Sequence, residues 1–398
     1  MATSEPTHNN SPEEISIQQL LEALLDEATP LHPRYLNRFS DLEGEDALLL
    51  GENWEKIALW RRQALMEDLP VLADNDYLLS FEAVGRIAVR DPDPQVRFGG
   101  IQAFIASESE SHDLINVLLN LAESDLDSNV RAASASALGK FVYIGELELL
   151  PESDRSDLED RLIKISEEDS YTEVRRNALE SLGFSSRDGI QDLIANAYQS
   201  SDPAWVASAL FAMGRSADET WSEEVFEHLT NPNDQIRLEA VRAAGELGLL
   251  EARKVLVSSL GDPNDEVRLA AIWSLSQLGG EGIAEIFASL LKNASDDDEI
   301  ILIEQALDNL AFNSDTEDGF GMFYIPDPDE GEEDQRWIIW DGLDEDLDDP
   351  ESLYMDMEDT ELEPFEELED EDYNGSGRSI NDLIYIEDDI DEDEDPGD

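Results

Sequence analysis

The 398-residue chain contains no cysteine, which excludes disulfide staples and thiolate metal sites and fits a reducing compartment. Its four histidines, His8, His32, His112 and His228, are scattered. None shows His-x-x-x-His or His-Glu-x-x-His spacing, so a zinc or di-iron centre is not expected. Gly-rich phosphate loops, Gly-x-Ser-x-Gly elbows and EF-hand loops are missing too, so neither a cofactor nor a catalytic constellation is expected. No apolar run reaches 18 residues, and the opening MATSEPTHNNSPEEIS has no basic patch followed by an apolar stretch. The expectation is therefore a cytoplasmic chain with no membrane span. Cations are scarce: 25 Lys and Arg stand against 97 Asp and Glu, a formal charge of −72. Such a balance disfavours nucleic acid and anionic membranes, both of which need cationic contacts.

What is present is repetition. A ten-residue phrase of the form Val-Arg-x-x-Ala-Leu-x-x-Leu-Gly recurs from Val96, Val130, Val174, Trp205, Ile236, Val267 and Leu302, at intervals of 34, 44, 31, 31, 31 and 35 residues. Its apolar positions, at offsets 0, 4, 5 and 8, share one stripe of a helix. Upstream stand Asp91 to Pro94, Asp127-Ser128, Asp202-Pro203, Asn231 to Asn233 and Asp262 to Asn264, which supply helix caps and first-turn prolines. Amphipathic segments at 113–122, 158–165, 190–198, 222–229, 252–260 and 282–291 precede most copies. Each unit therefore reads as two antiparallel helices, and a period in this range means a stacked array in one elongated domain.

Over about residues 76 to 312, the pattern Asp-x-x-x-x-Val-Arg-x-x-Ala-x-x-x-Leu-Gly resembles the HEAT repeat, in the short form of the phycobilisome-lyase-like HEAT proteins. It is matched most fully around Val130, Val174 and Val267. The resemblance implies an all-α fold, a right-handed α-α superhelix of the HEAT/armadillo type. It also implies that Arg97, Arg131, Arg175, Arg237 and Arg268 bond the turn Asp and the neighbouring repeat; a basic stripe for phosphate or carboxylate is the other reading of these arginines. Val206 and Ile303 break the slot.

The expected organisation is a disordered stretch at 1–14, a helical cap at 15–75, the solenoid at 76–313 and an acidic, largely disordered tail at 314–398. The cap comprises a helix at 15–28 opened by Ser11 to Glu14, then one or two helices at 54–73. The extra residues between Val130 and Val174 read as a longer loop around 149–155. In the tail, 37 acids face two bases, leaving −37 of the formal charge to residues 1–313. Self-repulsion of this kind opposes a core. Apolar clusters nevertheless interrupt it, and Trp337, Trp340, Tyr354, Ile384 and Tyr385 are candidate docking residues, for a partner or for the chain's own repeats. The bland alternative is a solubilising tail.

Offsets 2, 3 and 6 of each second helix point away from the apolar stripe and are expected on a concave surface. There Phe98, Arg176, Phe211, Leu238, Arg242, Leu269 and Trp273 form a candidate ridge for a partner protein, basic or amphipathic in character. Burial between repeats is the competing explanation. A non-enzymatic interaction scaffold is the leading function. Its rivals are a bilin lyase or isomerase, as the resemblance allows, and a salt-adapted structural protein, to which 20 Arg against five Lys also answers.

Overall fold

The computed structural model describes residues 15–280 and 282–317; among them there are helices and turns and no strand. An N-terminal group comprises α1 (Ile17–Leu25), α2 (Gly44–Asn53) and α3 (Leu59–Asn75). Ser16 caps α1 through a reciprocal pair with Gln19, so the helix begins two residues later than the apolar pattern suggests. The expected opener, Ser11 to Glu14, lies outside the described residues.

The array continues with α4 (Glu82–Ala88), α5 (Pro94–Ala106), α6 (Asp113–Ser124), α7 (Ser128–Ala137), α8 (Gly139–Glu146), α9 (Glu152–Glu168) and α10 (Thr172–Leu182). It ends with α11 (Ile190–Tyr198), α12 (Pro203–Arg215), α13 (Ser222–His228), α14 (Asp234–Glu246), α15 (Arg253–Ser259), α16 (Asp265–Leu278), α17 (Ile283–Leu291) and α18 (Asp297–Glu317). Second helices stack in the order α3, α5, α7, α10, α12, α14, α16, and the first helices α4, α6, α9, α11, α13 and α15 each pack on their own partner. The architecture is an all-α solenoid of paired helices.

Each second helix starts where the sequence says. Asp93, Asp127, Asp202, Asn233 and Asn264 accept hydrogen bonds from first-turn N–H groups. The expected stripe is buried in α10, at Val174, Ala178, Leu179 and Leu182, and in α16, at Val267, Ala271, Ile272 and Leu275, while Trp205 and, in the last copy, Leu302, Leu307 and Leu310 are partly buried.

The arginine slot forms a ladder. Arg97 pairs with Asp125, Arg131 with Asp169 and Arg237 with Asp262, in each case through two N–H groups on one carboxylate of the next repeat. Each of these arginines also donates to the carbonyl six residues before it. The basic-stripe reading does not hold at these positions, because the cations are consumed within the fold. The ladder lapses at Arg175, which donates to Thr172 and lies over the Trp205 ring at 5.7 Å. Ser200, which accepts from the Asp202 N–H, occupies the place where the next acid would stand.

Two elements were not legible in the phrase. Helix α3 stacks on α5 as a further second helix, and Arg62 reaches Asp91 at 2.8 Å, extending the ladder one step earlier. Asp91 also accepts from the Trp54 indole at 2.7 Å. The extra residues after Val130 form a loop only at 147–151, not over 149–155. Most of them are helical, as α8, which prolongs α7 past Leu138, and the first turns of α9. Phe141, Val142 and Ile144 are buried there, which draws the chain into a helix.

Candidate functional site

Stacking geometry decides which second-helix side chains reach the open face. The phrase glycine at offset 9 meets the offset-7 residue of the next repeat: a β-carbon on Gly183 would lie 2.8 Å from Ala212, on Gly214 2.9 Å from Ala243, and on Gly245 2.7 Å from Ser274. Only glycine permits that approach. Ser181 and Ser274, at offset 7, donate back to the carbonyls of Ala135 and Val241 in the preceding repeat, both at 2.8 Å. With roughly 100° per residue, offset 9 points near 180° and offset 2 near 200°, so offset 2 is turned toward the next helix. Offsets 6 and 10 point to about 240° and 280° and face outward between the two contact directions.

The candidate ridge accordingly divides into two rows. Phe98, Arg176, Leu238 and Leu269 hold offset 2. Leu238 is buried, with 6% of its surface exposed, so it belongs to the hydrophobic core and not to an exposed ridge. Phe98 and Leu269 are half-buried against the core. Arg176 donates to the Ser208 hydroxyl at 3.3 Å. Phe211, Arg242 and Trp273 hold offset 6, and with Glu180 they form a row at intervals of 31 residues across α10, α12, α14 and α16. Trp273 is 43% exposed.

A second row, one turn further, lies beyond the ten-residue phrase and so escaped it: Phe184, Arg215, Glu246 and Gln277. The Arg215 guanidinium lies over Phe211 at 4.0 Å and over Phe184 at 4.7 Å, and donates to the Glu180 carbonyl at 3.3 Å. Phe184 in turn meets Tyr143 of α8, with ring centroids 5.3 Å apart. Continuing the 31-residue register past the phrase would have found this row.

Charges on the face are paired internally. Ser208 donates to Glu180, and Arg242 holds Glu239 at 2.8 Å. Glu239 has one carboxylate oxygen without a hydrogen-bond partner. Burial pushes its carboxyl up to about 7, the opposing pull of Arg242 notwithstanding, and the Glu180 and Glu246 carboxylates add to the rise. Among the described residues no group of three or more His, Asp or Glu could hold a metal ion, and no helix is long and apolar enough to cross a membrane. Trp337, Trp340, Tyr354, Ile384 and Tyr385 lie outside the described residues.

Residues 222–308, spanning α13 to most of α18, match the family model of HEAT repeats. A comparison with curated proteins finds no match. Among solved structures, the chain is similar to the complex of CpcE and CpcF of phycocyanin lyase from Nostoc, with 20% identity over 52% of this chain and 80% of that one, at a TM-score of 0.38. Human deoxyhypusine hydroxylase is similar at 16% identity over 66% of this chain and 95% of that one, with a TM-score of 0.30. Importin beta is similar at 12% identity over 74% of this chain and 51% of that one, with a TM-score of 0.31.

Proposed function

We propose that this HEAT-repeat chain is a non-enzymatic interaction scaffold that receives a partner protein on the second-helix face of α10, α12, α14 and α16. The observation that carries the reading is the offset-6 row, which leaves Trp273 43% exposed in register with Phe211 and Arg242. Aromatic and arginine side chains on an open face are the residues from which binding hot spots are built. A helix with no packing task there has no need of a tryptophan. The acidity of residues 1–313, at −37, favours a partner that is basic or amphipathic, because complementary charge speeds encounter and suppresses wrong partners.

The test is affinity capture from native lysate at moderate salt, comparing the parent with the double variant Phe211→Ala, Trp273→Ala. A protein held by the parent and lost by the variant, with helical circular dichroism unchanged, supports the reading. Capture that survives the double substitution removes this face from consideration.

A further inference from the structure

The extra helix α8 does what no repeat needs. It prolongs α7, packs on α9 and α10, and ends in the hexapeptide Gly145-Glu-Leu-Glu-Leu-Leu150, which has a near-copy one hundred residues on, Gly245-Glu-Leu-Gly-Leu-Leu250. Both close a helix with the same pair of backbone bonds, from Glu148 to Gly145 and Leu149 to Ile144 in one, and from Gly248 to Gly245 and Leu249 to Ala244 in the other. Their leucines go to opposite places. Leu247 and Leu249 are both 7% exposed, whereas Leu147 is 50% and Leu149 63% exposed.

Backbone conformation sharpens the contrast. The cap residue of the later copy is Gly248, at φ 67°, which glycine tolerates freely. At the earlier copy Glu148 holds φ 59°, a region costly for a side-chain-bearing residue. The fold thus keeps a strained turn that places two leucines in water. Tyr143, one turn back on α8 and 48% exposed, extends the patch to Phe184. From Lys140 to Arg155 four carboxylates, Glu146, Glu148, Glu152 and Asp154, stand against two cations, both engaged within the chain: Lys140 lies 3.4 Å from Glu110, and Arg155 donates to Glu152 at 2.9 Å and lies 3.7 Å from Glu146. Glu110, Glu148 and Glu152 are exposed.

We propose that α8 and its cap are a docking surface for a cationic amphipathic helix of a partner protein, whose apolar face covers Tyr143, Leu147 and Leu149 while its lysines or arginines meet Glu148 and compete with Lys140 and Arg155 for Glu110 and Glu152. The apolar strip selects an amphipathic segment, since such a helix buries its stripe in a groove or patch. The carboxylate rim selects the sign of its charge. This surface adjoins the second-helix face and is separate from it, so it stands or falls independently of the role given to Trp273.

The experiment follows a fluorescently labelled synthetic Leu/Lys amphipathic helix by anisotropy on the full-length chain, at a salt concentration that screens loose association with the acidic tail. Leu147→Ser with Leu149→Ser should weaken binding by about tenfold or more, while Leu126→Ser, at an exposed leucine elsewhere, leaves it unchanged. Glu148→Gly should raise the thermal midpoint and weaken binding together, opposite signs that a purely structural turn would not produce. Helical circular dichroism confirms that each variant folds. Three outcomes would overturn the proposal: binding by the double-leucine variant within about twofold of the parent; equal binding of a Leu/Glu helix of the same pattern, which would assign the patch to an acidic segment such as the chain's own tail; or a parent dimer in sedimentation that the double variant lacks, which would assign it to a second copy.

Discussion

Gly214 of α12 lies so close to α14 that a β-carbon on it would stand 2.9 Å from the α-carbon of Ala243. Helix propensity alone would favour alanine at this helical position. Close stacking reverses the sign, because the approach involves backbone that has nowhere to go. Gly214→Ala is therefore expected to destabilise by about 1–3 kcal/mol in urea unfolding. Gly261→Ala, where the nearest atom would be 3.7 Å away, should change little. Equal effects would show that the glycine is not a stacking requirement.

The Arg131 and Asp169 pair makes a second test. Both side chains are about nine-tenths buried, and two N–H groups meet one carboxylate. Removing one partner leaves an uncompensated buried charge, so Arg131→Ala should cost on the order of 3–5 kcal/mol. Arg175→Ala, at the equivalent slot where the next repeat presents Ser200 in place of an acid and the guanidinium donates to Thr172, should cost clearly less. Elsewhere in the ladder the hydrogen bonds of Arg237 hold Asp262 below its ordinary carboxyl range. That contribution is complete at neutral pH and is lost only as pH falls through the lowered value. Asp262→Asn should then destabilise at pH 7 and have a shrinking effect in acid, as urea midpoints across pH would report.

Much of this was legible because the repeat constrains its sequence tightly. The stripe around Val174 and Val267, the caps at Asp127 and Asn264, and the bounds of α11 follow from period and capping chemistry. The α3 repeat was hidden because Arg61 stands where the phrase has valine. That arginine is buried and donates to the carbonyls of Ala23, Asp26 and Thr29, anchoring the end of α1, a tertiary task that leaves no periodic trace. Helix α8 was missed because Leu138-Gly139 imitates the usual end of the phrase. On the candidate face, the sequence placed offsets 2, 3 and 6 together on the side away from the apolar stripe. It did not separate offset 2 from offset 6, since that distinction depends on where the next helix lies, and Leu238 was misplaced for that reason.

Helical phase has its own check in α10. Leu182 at offset 8 is fully buried, while Glu180 lies on the face. Leu182→Ala should cost roughly 2–5 kcal/mol, the usual range for emptying a packed leucine site. Glu180→Ala should cost less, its carboxylate losing one hydroxyl donor from Ser208. Denaturant midpoints of the two variants would expose a wrong phase if they coincided.

The last expectation concerns Glu239, whose carboxyl is pushed up to about 7 chiefly by burial. Between its ordinary value of 4.5 and about 7, the folded chain holds a proton that the unfolded chain has released. The folded state binds more protons in that window, so the residue's effect on stability becomes less favourable as pH rises through it, and levels off above. Glu239→Gln keeps the hydrogen-bonding shape without the titration. The variant should gain stability over the parent progressively from about pH 4.5 to 7, by up to about 3 kcal/mol, with no further gain at higher pH. Subtracting the two stability curves removes the acids common to both chains and leaves this one group. A difference independent of pH would mean that Glu239 is ionised throughout, and that Arg242 compensates its burial in full.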